Sequence, residues 1–165
     1  MSRKIEDAIM DVLKGDAQKN ALDFVAYLRE NEIPLEESDN LWSVQYKDEY
    51  MCFILIDGSD NAPGPWTIWS EQVPGTWVTW SDDDCGGEYV DFPLDDHIKE
   101  IALANINICG SCGGSCSPGR RKRVLGKEFD NVCNSAIAFT NPDAAALECA
   151  KRMIDARKDD INKNI

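Results

Sequence analysis

The chain has 165 residues, 43% of them hydrophobic, with five Trp, five Phe and four Tyr; that suits one ordinary core and excludes a disordered tail. Thirty acidic residues against seventeen basic ones leave a net charge of −13, which repels phosphate backbones and anionic lipid heads. General nucleic-acid or membrane binding is thereby disfavoured, and no run approaches the ~20 apolar residues that span a bilayer.

The first 33 residues read as a helical segment. Ile5, Ile9, Val12 and Leu13 recur at helical spacing, Gly15 closes that stretch, and Asp16 caps a second helix with Leu22, Val25, Ala26 and Leu28 on its apolar face. Pro34 ends it. Leu41–Lys47 then alternates like a half-buried strand, and Glu49–Asp57 is the nearly unbroken apolar run of a central strand, with Asp48 turning one into the other. Residues 57–64 make a loop, Pro65–Ser70 a third strand, Thr76–Trp80 a candidate fourth, and Ser81–Glu88 a polar surface loop.

Helical spacing returns over Pro93–Ile108 through Leu94, Ile98, Ile101 and Asn105, with Asp95 and Asp96 in the first turn. The Cys/Gly-rich stretch 109–119 cannot continue that helix. Two short strands follow, Arg123–Phe129 and Val132–Phe139, with Asp130-Asn131 as the turn between them. In the last helix Asn141 caps, Pro142 takes the first position, Asp143 meets the dipole, and Ala146, Ala150, Met153 and Ile154 form the stripe. The expected fold is a single α+β domain over residues 1–165, in the order αα-βββ(β)-α-ββ-α. Its antiparallel sheet has about five to six strands, with helices packed on one face.

Met1–Asp7 shows no apolar stretch behind its two basic residues, so a cytoplasmic location is expected. In that compartment seven cysteines, an odd count, point to metal ligands or redox groups before a disulfide framework. Cys109, Cys112 and Cys116 fall within eight residues, and the glycines at 110, 113 and 114 allow the tight turns that bring several thiols to one ion. Zinc wants four soft ligands, and Cys133 on the following strand pair is the natural fourth; Cys85 is a rival and His97 is less well placed. Two other readings stay open: a redox pair at Cys109 and Cys112, and small thiols that only pack in a glycine-rich turn. Cys52 and Cys149 read as core residues. The run Arg120-Arg121-Lys122-Arg123 suits a solvated turn, though it could neutralise thiolates or hold an anion.

Trp42, Trp66, Trp69, Trp77 and Trp80 fall in or beside the expected sheet. Strand alternation puts Trp66 and Ile68 on one face and Thr67 and Trp69 on the other. Besides core packing, they suggest a pocket for a small apolar or cationic ligand formed by Trp42, Tyr46, Trp66, Trp69 and Trp80. Glu71 would supply a carboxylate, with Glu49 and Asp82–Asp84 nearby in sequence. No P-loop or GxSxG motif is present and there is one histidine, so a binding or regulatory module is favoured over an enzyme. A thiol-dependent redox protein and a protein–protein interaction domain are the alternatives.

The segment NICGSCGGSCSPGRRKRVLGKEFDNVC within Ile106–Asn134, with the following FTNPDA and the helix ending RKDDI, resembles small uncharacterised cytoplasmic proteins of anaerobic bacteria. The element order is weakly similar to YdhG-like α+β domains. Neither resemblance brings an activity; both imply an α+β fold, and the first marks residues 126–133 for inspection.

Overall fold

Ile5, Ala8 and Ile9 are all buried, and their spacing makes α1 (Ile5–Val12) an amphipathic helix. The computed structural model describes residues 3–58, 66–70, 94–109, 119–125 and 127–163. α2 (Gly15–Glu30) begins at Gly15, whose φ of +58° glycine takes at little cost, so Asp16 lies in the first turn instead of capping it. α2 buries Ala21, Phe24, Val25 and Leu28. Pro34 does end the helical segment, but a strand absent from the sequence reading follows, β1 (Leu35–Ser38). It pairs antiparallel with β2 (Leu41–Tyr46), which pairs with β3 (Glu49–Ile56) across a turn at Lys47-Asp48. Both turn residues have positive φ, the geometry that matches the twist of a tight hairpin. β4 (Trp66–Ser70) continues the sheet from β3, as expected; Thr76–Trp80 lies outside the described residues.

The helix expected to reach Ile108 stops early. α3 spans Asp96–Leu103, with Asp95 as its N-cap accepting from the Ile98 N–H at 2.8 Å. The Asn105 amide donates to the Ile101 carbonyl at 2.8 Å and finishes the last turn, after which Ile106–Ile108 is a strand, β5. β6 (Arg120–Val124) and β7 (Lys127–Thr140) pair as an antiparallel hairpin with Leu125 in a turn, and Asp130-Asn131, the expected turn, lies within β7. α4 (Ala144–Lys163) is capped by Asp143, which accepts from the Ala146 N–H at 2.8 Å; Asn141, the expected cap, lies outside it.

Seven strands in the order β1-β2-β3-β4-β7-β5, with β6 beside β7, therefore make one antiparallel sheet among the described residues. That is more strands than the expected five to six, because β1 is polar and the isoleucines of β5 continue the apolar rhythm of the helix before it. The register places Trp42, Val44, Cys52, Ile54, Ile56, Trp66, Ile68, Ile137 and Phe139 on one face, and all are buried in a core shared with α1, α2, α3 and α4. The Tyr27 hydroxyl donates to the Lys151 carbonyl at 3.1 Å and to Asp155 at 2.5 Å, tying α2 to α4, and burial together with Asp155 keeps the phenol protonated. Buried Arg157 on α4 lies 3.5 Å from Glu49 at the start of β3. No described helix is long and apolar enough to cross a membrane.

Candidate functional site

The site is built where β5 runs into residue 109. Ile108 faces Val132 across the β5–β7 ladder, so the next pair is Cys109 and Asn131. The Cys109 N–H donates to the Asn131 carbonyl at 2.7 Å, and the Asn131 side-chain amide donates to the Cys109 carbonyl at 3.1 Å. Both backbone polar groups of Cys109 are thus held by one residue. Asn131 has a φ of +58°, a left-handed conformation that asparagine tolerates better than most residues. The cause is a bulge: Arg120 faces Val132 but Lys122 faces Phe129, so β7 takes up an extra residue around Asp130-Asn131.

Gly119 packs against the same pair. A Cβ there would sit 2.5 Å from the Cys109 Cβ and 2.6 Å from the Asn131 carbonyl oxygen. Positions 109 and 119 therefore meet at Asn131. Cys133 lies two residues further along β7. Both thiols are free and half-buried.

Of the four expected metal ligands, the structure thus brings Cys109 and Cys133 to one end of the ladder, while Cys112, Cys116 and the rival Cys85 lie outside the described residues. Among the described residues no cluster of three or more His, Cys, Asp or Glu side chains could hold a metal. His97 is exposed on α3. Cys52 and Cys149 are fully buried, as expected. Burial, with some repulsion from Asp95, pushes the Cys149 thiol up to about 12, so at neutral pH it is a small hydrophobe donating to the Ile98 carbonyl at 3.5 Å.

The basic run forms strand β6, not a turn. Arg121 pairs with Glu128 on β7 and lies 3.8 Å from Asp130, so β7 itself answers part of that charge.

The aromatic residues separate. Trp42 and Trp66 are 2% and 1% exposed on the helix-covered face, Trp66 with its ring 6.4 Å from Phe24. Trp69 points to the opposite face, half-buried and paired with Phe53, on which the 39% exposed Tyr50 stacks at 5.6 Å. Tyr46 sits elsewhere, donating to Asn162 at 3.0 Å with Lys47 and Lys158 over its ring. Glu49 is engaged by Arg157, and Glu71 and Trp80 lie outside the described residues. Among the described residues the expected pocket is therefore not one pocket. An open hollow of about 370 Å³ lies along β5 instead, lined by Ala104, Asn105, Asn107, Ile108, Ala138 and Thr140.

Compared with known proteins, the chain matches no family model, no curated protein and no solved structure. Sequence reasoning missed Gly119, and it marked Asn131 only as a turn residue. The signal for Asn131 was its tolerance of positive φ, which pointed to a turn when the chain uses it for a bulge.

Proposed function

We propose that the chain is a cytoplasmic binding or regulatory module whose working feature is the cysteine loop, with one zinc ion held by Cys109, Cys112, Cys116 and Cys133. The observation that supports this reading is the junction at Asn131, where residues 109 and 119 meet on the strand that also carries Cys133. A closed tetrahedral zinc site takes four such soft ligands. In that role the ion would hold the loop's shape, a structural contribution with no bond made or broken.

Protein purified without added zinc should carry about one zinc per chain. A chelator should then make four more thiols reactive, while Cys52 and Cys149 stay protected by burial with or without metal. A metal-free protein whose Cys109 and Cys112 cycle through a disulfide under mild reductant would replace this reading with the redox alternative.

A second, smaller reading is favoured by the ledge of Tyr50, Phe53 and Trp69, whose stacked and partly exposed rings suit an apolar cation. Titration with lipophilic cations should quench tryptophan emission, and an unchanged spectrum would rule the ligand out.

A further inference from the structure

We infer that β5 is a self-association edge, at which a second copy of the chain pairs its own Ile106–Ile108 antiparallel about a two-fold axis through Asn107. β5 ends the strand order, and among the described residues no strand pairs with its other side. Backbone parity shows what that side offers. The Asn105 carbonyl accepts from the Ala138 N–H at 3.0 Å and the Cys109 N–H donates to the Asn131 carbonyl at 2.7 Å, so residues 105 and 109 turn their backbone toward β7. Alternation along the strand then aims the N–H and C=O groups of Ile106 and Ile108 away from β7. The open hollow of about 370 Å³ along this strand leaves room for an incoming one.

Charge and sequence symmetry point to a second copy as the occupant. An edge strand invites pairing unless charge, proline or covering structure blocks it. The outlying strands β1 and β6 carry such charge, as Leu-Glu-Glu-Ser and Arg-Arg-Lys-Arg-Val, whereas β5 is Ile-Asn-Ile. None of the residues lining the hollow is charged, in a chain where 28% are, and Ile108 is 46% exposed. Each copy has a net charge of −13, so an uncharged strip is where two copies meet with least repulsion. The strand is also its own complement. Paired through Asn107, Ile106 of each copy faces Ile108 of the other, and every such pair exchanges both of its N–H···O bonds. A contact of this isologous kind closes at two copies. Three residues a side make it small, so the dimer is transient, with a Kd of about 10–100 μM.

The test is sedimentation velocity on the full chain from about 5 to 500 μM, with amide hydrogen exchange at both ends of that range. The wild type should pass from monomer to dimer and stop there, and the Ile106 and Ile108 amides should gain protection as it does. Added salt should strengthen the dimer, because it screens the repulsion between acidic copies. Ile108→Lys puts a charge at an exposed edge position and should weaken the dimer roughly 10-fold or more. Met10→Lys, at the 52% exposed methionine of α1, should leave it unchanged. Monomer throughout, growth beyond two copies, or a dimer whose Ile106 and Ile108 amides stay unprotected would overturn the inference. So would an Ile108→Lys chain that dimerises like wild type. Association that salt weakens would overturn it too, and would assign the contact to the charged strands instead. The amide measurement needs no variant, so it decides the matter even where Ile108→Lys fails to fold. None of these outcomes depends on whether the chain binds metal.

Discussion

Trp66→Ala is expected to lower the unfolding free energy by about 3–5 kcal/mol, measured by urea denaturation at neutral pH. Trp66 is 1% exposed on β4, on the face that meets the helices, and its ring lies against Phe24 of α2. Truncation removes the transfer free energy of a whole indole and leaves a cavity that β4, a strand held between β3 and β7, cannot collapse to fill. Trp66→Phe should cost far less. The ring shrinks, but the indole N–H that it deletes is buried and makes no hydrogen bond, so no partner is orphaned. If Trp66→Ala left stability within about 0.5 kcal/mol of wild type, as surface substitutions do, the inward placement of this tryptophan would be wrong.

Gly119→Ala carries the second large effect. The added methyl would lie 2.5 Å from the Cys109 Cβ and 2.6 Å from the Asn131 carbonyl oxygen, distances at which backbone has to move. The Asn131 side-chain oxygen, also 2.6 Å away, could swing aside, but the Cys109 Cβ and the Asn131 carbonyl cannot, so the strain falls on the bonded pair itself. Overpacking of this kind costs about 1–3 kcal/mol. The characteristic outcome is a double one: a lower unfolding midpoint, and, on the metal reading proposed above, a zinc affinity that falls because Cys109 is pushed from its place against Asn131. An alanine variant with unchanged stability and metal affinity would mean that residues 109 and 119 do not meet at Asn131.

Much of the architecture was legible where local chemistry and tertiary use agree. The β2–β3 hairpin was readable because Lys47-Asp48 sits between an alternating run and an apolar run, and the parity of β4 correctly opposed Trp66 to Trp69. β1 was not readable: Leu-Glu-Glu-Ser is a polar edge strand, and it is a strand only because β2 lies beside it. β5 was misread because Ile106 and Ile108 continue the apolar rhythm of α3, and only the Asn105 amide bond to Ile101 marks the end of the helix. The Asp130-Asn131 pair shows the same ambiguity at the site. Its residues do favour a bend, but a bulge and a turn ask for the same side chains, and only the register against β6 decides between them.

The cysteines themselves could be read from spacing, whereas their anchor could not. Nothing in the sequence joins Cys109 to Asn131, 22 residues away; that contact exists because β5 and β7 are antiparallel neighbours. The tryptophans show the converse. Their composition suggested a single pocket, but burial of Trp42 and Trp66 assigns two of them to the core, leaving Trp69 on the outer face.

The most direct measurement of the central proposal is zinc-edge X-ray absorption on the metal-bearing full chain. Coordination by Cys109, Cys112, Cys116 and Cys133 predicts a single shell of four sulfur neighbours at about 2.3 Å. A shell dominated by nitrogen or oxygen, or a protein that retains no zinc after gel filtration, would contradict it.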